Sequence, residues 1–237
     1  MKIALIGATG YVGRRVRDEA LSRGHEVTGI VRNADALPEH ELLTPLAVDV
    51  HDAGRVAGAV AGHDVVVSCF NPGGHDVAAN PHMYRDIVEG TRTIIDGVKQ
   101  SDVERLIYVG GAGSLHVEGG KMLVDDLAFL GEHLGNPPEG MLIATGPPSP
   151  DIPRGARMAY YLFEREQELD WAFVSPSLFL GSYGGKTGRL RYGTDQLLME
   201  DGRPAKVDVE DLAVAIVDEA ETPRHSRGHF TVATSAG

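Results

Sequence analysis

The feature that most constrains this chain is an apolar run, Ile3-Ala4-Leu5-Ile6, that passes straight into three glycines spaced by three, Gly7, Gly10 and Gly13. An apolar run without alternation is what a strand buried on both faces requires, because helices cover a parallel sheet on either side. Residues 11–23 then carry Val12, Val16, Ala20 and Leu21 at helical spacing, and Gly24 ends the pattern. A glycine turn that leaves a buried strand and opens a helix has a specific use. The first glycine permits the tight turn, the second lets backbone approach a pyrophosphate, and the third lets the helix pack close to the sheet. The helix N-terminus adds N–H groups and the positive end of its dipole. The turn Gly7-Ala8-Thr9-Gly10-Tyr11-Val12-Gly13 is therefore expected to hold a nicotinamide dinucleotide, the alternative being a strand-helix turn with no ligand.

The rest of the chain repeats the same alternation. Strands are expected at 26–31, 46–48, 64–69, 105–109, 171–175 and 229–233, and helices at 53–61, 83–99 and 156–169. Asp208 can cap a further helix running through 212–220, with Asp211 at its third position. Such alternation predicts an α/β fold, a Rossmann-type doubly wound parallel sheet with right-handed crossovers. Residues 119–155 are crowded with Gly and Pro and are expected to form an irregular insertion. Residues 189–200 suggest a hairpin, and about 182–206 a small C-terminal lobe covering the substrate. The whole of 1–237 is expected to be one domain, since a chain that is 42% hydrophobic can build a full core at this length.

Charge and cysteine content narrow the partners. With 34 acidic against 22 basic residues the formal charge is −12, the wrong sign for neutralising nucleic-acid phosphates. The first apolar run is too short for a signal sequence or a membrane span, so no membrane partner is expected. A single cysteine, Cys69, excludes an intrachain disulfide and fits a reducing cytoplasm. The ten histidines form no recognisable metal set, and His225 and His229, four apart, straddle Gly228 before a strand. A monomer or a homodimer is expected.

Open α/β sheets bind ligands at the carboxyl ends of their strands. That edge places Arg32 after the second strand, Asp49 and Val50 after the third, and Cys69, Phe70 and Asn71 after the fourth. Gly110 and Gly111 follow the fifth strand and Pro176 the sixth. Arg32 stands where an acidic residue would bind the ribose hydroxyls of NAD; a guanidinium there suits a 2′-phosphate, so NADP is favoured, with NAD possible and a solvated arginine the bland alternative. Asp49 can contact adenine or simply make a turn.

The glycine turn with Ala8-Thr9 inside it resembles that of the atypical and extended short-chain dehydrogenase/reductase superfamily. The segments 64–68, 103–114 and 169–177 are similar to that superfamily's fourth, fifth and sixth strands, and 207–213 to its late capped helix. Gly110-Gly111-Ala112-Gly113-Ser114 and Asp195-Gln196-Leu197-Leu198 resemble a subgroup of NAD(P)H-flavin reductases, near biliverdin reductase B and more distantly the NmrA-like proteins. The resemblance implies that Ser114 hydrogen-bonds a substrate carbonyl or the nicotinamide side; a local backbone cap is its other use. It also implies a Tyr with Lys four residues later as proton relay, and no tyrosine here has one: Tyr161 has Arg165 and Tyr160 has Glu164. Tyr160 and Tyr161 can line a pocket or merely pack on a helix. The loop Asn71-Pro72-Gly73-Gly74-His75 offers backbone approach at its glycines, and His75 is a candidate proton donor or a solvated histidine. These features imply an NAD(P)H-dependent reductase acting on a flat conjugated acceptor such as flavin or quinone. A non-catalytic NADP-sensing regulator is the alternative, and a nucleotide-sugar epimerase or dehydratase is weakened by the missing Tyr-Lys pair.

Overall fold

A computed structural model describes residues 1–72, 80–142 and 150–235. In chain order the elements are β1 (Lys2–Ile6), α1 (Gly13–Ser22), β2 (Glu26–Val31), β3 (Leu43–Ala47), α2 (Ala53–Val60), β4 (Val65–Ser68), α3 (Met83–Lys99), β5 (Arg105–Val109) and α4 (Leu127–Leu134). There follow α5 (Asp151–Glu164), β6 (Asp170–Pro176), β7 (Phe179–Gly181), β8 (Leu190–Gly193), β9 (Met199–Glu200), β10 (Arg203–Pro204), β11 (Lys206–Asp208), α6 (Val209–Glu221) and β12 (Gly228–Thr234).

The main sheet has the order β3-β2-β1-β4-β5-β6-β12-β8, parallel throughout except where β8 pairs antiparallel with β12. Strand order reverses between β1 and β4, so the crevice at their carboxyl ends is the switch point where an open sheet takes its ligand. Successive β1 residues alternate between two cores. Ile3 and Leu5 join Val16 and Ala20 of α1 and Leu212 and Ile216 of α6, while Ala4 and Ile6 join Val56, Ile94 and Phe163 of α2, α3 and α5. A small third cluster of Leu115, Val117, Leu123 and Leu197 ties the segment after β5 to the one after β8.

Four sequence expectations are corrected. The third strand begins at Leu43, ahead of 46, because Pro45 is tolerated on an edge strand whose outer side needs no ladder donor. The stretch 119–155 is not irregular throughout: it contains α4, whose first turn is capped by Asp126 accepting from Phe129 N at 3.0 Å. Helix α5 starts at Asp151, ahead of 156, since Pro153 falls in the first turn, where no backbone N–H is required. The hairpin is not 189–200. There β8 adds to the main sheet, and the hairpin is β9-β10, turned by Asp201 and Gly202 at φ 49° and 74°.

Candidate functional site

The glycine turn is held by its own backbone. Gly7 N donates to Ile30 O at 2.8 Å, Gly10 N to Gly7 O at 2.9 Å, and Arg14 N to Gly10 O at 3.0 Å. Gly7 sits at φ 80°, in the left-handed region that favours glycine. A Cβ on Gly13 would lie 2.1 Å from the Gly7 carbonyl oxygen, so α1 can approach β1 this closely only with glycine there. Gly10 is different: a Cβ would meet Gly7 O at 3.2 Å and nothing else within 4 Å, leaving open space in front of it. Val12 at the N-cap makes no side-chain capping bond and the first turn carries no acid. The N-terminal end of α1 therefore keeps its positive end for an anion. The Tyr11 ring lies 4.9 Å from the Arg15 guanidinium and 5.6 Å from that of Arg14.

From this turn a cavity of about 610 Å³ runs along the carboxyl ends of β1 to β6. Gly7, Thr9, Gly10, Tyr11 and Val12 form one end, and Arg32, Asp49 and Val50 the flank beyond β2 and β3. Cys69, Phe70 and Asn71 follow β4, and Gly110, Gly111 and Pro176 follow β5 and β6. Of the described residues singled out for the cofactor, all but Gly13 line the wall; Gly13 lies behind it, against Gly7. Arg32 is exposed at the rim, with no hydrogen bond or ion pair to another described residue. Asp49 accepts from His51 N at 3.1 Å, a turn contact, while still lining the cavity. Burial pushes the Cys69 thiol up to about 12, which makes it an inert wall atom.

The candidate acid-base residues are placed otherwise. Ser114 is fully buried and outside the wall, its hydroxyl donating to Gly111 O at 3.0 Å. Tyr160 and Tyr161 on α5 are also absent from the lining. The Tyr160 ring packs 4.4 Å from His229, and burial, with Glu164 and Asp195 adding to it, pushes its phenol up to about 12. The Tyr161 hydroxyl points to Met122 Sδ at 3.5 Å. Gly73, Gly74 and His75 lie outside the described residues. Among the described residues no group of three or more His, Cys, Asp or Glu is arranged to hold a metal.

Sequence reasoning missed an apolar part of the lining, Leu142, Ile152, Pro153, Ala156, Leu178 and Leu180. It also missed His51, whose ring meets the Phe70 ring edge-on at 6.0 Å. The signal for Ile152 to Ala156 was the first turn of α5, hidden by its prolines; Leu142, Leu178 and Leu180 carry no local signal at all.

A family model described as NAD(P)H-binding matches residues 7–220 of this chain. The chain belongs to that NAD(P)H-binding family. Its family cofactor fits the glycine cradle that a Cβ would close and the uncapped end of α1. Over 240 residues, covering 100% of both chains, this family member is 33% identical to the uncharacterized protein YwnB of Bacillus subtilis (strain 168). A solved structure of a proposed epimerase from Bacteroides thetaiotaomicron is 34% identical, with TM-score 0.82 over 100% of this chain and 98% of that one. A proposed NADH-flavin reductase from Streptococcus pneumoniae shares the fold at TM-score 0.76 and 23% identity, covering 99% of this chain and 100% of the other. The nicotinamide-dinucleotide reading of the glycine turn agrees with the family match. No described helix is long and apolar enough to cross a membrane.

Proposed function

We propose that this NAD(P)H-binding protein is an NADPH-dependent reductase that passes hydride to a flat conjugated acceptor such as flavin or quinone. The observation that carries the reading is the shape and chemistry of one cavity. Its lining joins the phosphate-binding turn to an apolar set, Leu142, Ile152, Pro153, Leu178 and Leu180, while the Ser114, Tyr160 and Tyr161 hydroxyls stand outside its wall. Oxidising an alcohol needs a base to remove a proton as hydride leaves, whereas a conjugated acceptor delocalises the incoming charge and can take its proton from water. When bound, the nicotinamide supplies the hydride. The chain's part is to bind and align: Gly7 to Val12 and the N-terminal end of α1 hold the pyrophosphate, and Arg32 the 2′-phosphate. Gly110, Gly111 and Pro176 back the nicotinamide, and the apolar set excludes water from the acceptor face.

A second reading, an NADP-sensing regulator without turnover, draws on the same placement of the Ser114, Tyr160 and Tyr161 hydroxyls outside the wall. An epimerase, as the Bacteroides neighbour is proposed to be, is weakened because no tyrosine of this chain has a lysine four residues later to form the superfamily's relay. Oxidation of NADPH followed at its nicotinamide absorbance, with and without FMN or a benzoquinone, separates the readings. Acceptor-dependent oxidation supports the reductase; tight NADPH binding with no oxidation in the presence of either acceptor overturns it in favour of the regulator.

A further inference from the structure

Behind the Gly110 to Ala112 wall of the cavity runs a buried hydrogen-bond chain. Ser114, in the turn after β5, donates its hydroxyl proton to Gly111 O at 3.0 Å. Ser175 on β6 lies 2.9 Å from the Ser114 oxygen, and His229 Nε2 on β12 lies 2.9 Å from the Ser175 oxygen. Both serines are 0% exposed, so no solvent molecule competes for these contacts. The sheet order β5-β6-β12 brings the three residues into line.

The proton count sets the direction of the chain. Each hydroxyl carries one proton. That of Ser114 is committed to Gly111, so Ser175 donates to Ser114, and the contact between Ser175 and His229 holds a proton only when Nε2–H is the donor. This is the Nε2–H tautomer, with Nδ1 bare. Nδ1 is buried and has no partner among the described residues, and an N–H there would be an orphaned donor, the rarer fault in folded proteins. The imidazole is packed by the Tyr160 ring at 4.4 Å and the Phe173 edge at 5.4 Å. Burial pushes its pKa down to about 4, with Asp195 acting upward and His116 downward, so the ring is neutral at pH 7.

We propose that His229 is a positioning residue for the cavity wall that follows β5: through Ser175 and Ser114 it holds the Gly111 carbonyl, and with it the Gly110 to Ala112 wall, in one orientation. The consequence for the reaction rests on the reductase reading above; the consequence for the wall does not. That wall has little slack, because a Cβ on Gly110 would already lie 2.2 Å from the Phe173 ring, and hydride transfer is sensitive to displacements of about 1 Å.

Two measurements test this. Nitrogen chemical shifts of His229 in the wild type report the tautomer directly, and the carbonyl carbon shift of Gly111 reports the end of the chain. Expected are a protonated Nε2 with a bare Nδ1 at pH 7, and a Gly111 carbonyl shift that moves in both Ser175→Ala and His229→Phe. In NADPH-dependent flavin reduction each variant should lose about tenfold in kcat, the scale of one buried hydrogen bond, with the KM for NADPH within about threefold. The double variant should be no slower than the slower single one, since both cut the same chain. A protonated Nδ1, an unmoved Gly111 carbonyl, or kcat losses that multiply in the double variant would overturn the proposal. A wild type that reduces no acceptor would overturn the reductase reading while leaving the two spectroscopic results to decide the role of His229.

Discussion

Gly10 and Gly13 stand three residues apart in one turn, and the structure assigns them opposite sensitivities. A methyl on Gly13 would sit 2.1 Å from the Gly7 carbonyl oxygen and 2.9 Å from its carbon, both backbone atoms that cannot rotate aside. Gly→Ala inside a helix ordinarily gains about 1 kcal/mol, while overpacking costs roughly 1–3 kcal/mol. Taking the upper end of that cost, because the obstacle is a rigid carbonyl, and subtracting the helix gain leaves a loss of about 2 kcal/mol. For a chain of this size that is a fall in Tm of roughly 4–8 °C. At Gly10 the nearest atom to an added Cβ is 3.2 Å away and the space beyond is the cavity, so Gly10→Val should fold with Tm within about 2 °C of wild type. Its side chain then occupies the room a pyrophosphate needs, and NADPH affinity should fall at least about tenfold, or ~1.4 kcal/mol. Thermal unfolding and a titration of NADPH fluorescence measure the two effects. A folded Gly10→Val protein with wild-type affinity, or a Gly13→Ala protein more stable than wild type, would refute the assignment of these two glycines.

Three further outcomes are expected. Arg32 lies exposed at the cavity rim without a described partner, so Arg32→Asp should move the NADPH-to-NADH preference by tenfold or more towards NADH, on the scale of about 1.5–3 kcal/mol for charged hydrogen bonds; a wild type that already prefers NADH would refute its role. Tyr160→Phe and Tyr161→Phe should each leave flavin or quinone turnover within about tenfold, short of the ~10²–10⁴-fold of a committed acid or base, and a larger loss with intact NADPH binding would show that a tyrosine carries the proton. Burial holds His229 down at about 4 against an ordinary 6.5, so the unfolded chain binds more protons between those values. Its contribution to stability is then fully present above about pH 6.5 and is lost as pH falls through 4, and His229→Phe should flatten that part of the stability curve relative to wild type, a difference that denaturant melts across pH 4–7 would reveal.

What was legible in the sequence is what short-range physics encodes. β1, the glycine turn and α1 are announced by an unbroken apolar run, glycine spacing and helical periodicity, each decided within a few residues of one chain segment. The carboxyl-edge rule then carries those local elements to Arg32, Asp49, Phe70 and Gly110, because in a parallel sheet every strand delivers its last residues to the same crevice. The errors in the fold come from reading Pro and Gly as breakers without asking where in an element they fall. Pro153 sits in the first turn of α5, Pro45 on an edge strand, and Asp201-Gly202, a strong hairpin signal, turns β9 into β10. The apolar part of the cavity lining fails for another reason. Leu142, Ile152 and Leu178 come from separate segments whose meeting depends on tertiary packing, and each by itself is an ordinary apolar residue. Ser114 shows the same limit in its chemistry: whether its hydroxyl faces a substrate or a backbone carbonyl is decided by Ser175, 61 residues away, and Ser175 is in turn met by His229, 54 residues beyond. In the sequence His229 offers only its spacing from His225, which points to a metal or to nothing. The order of β5, β6 and β12 makes it part of the cavity's support, so a residue remote from every motif can govern a wall that the motifs locate.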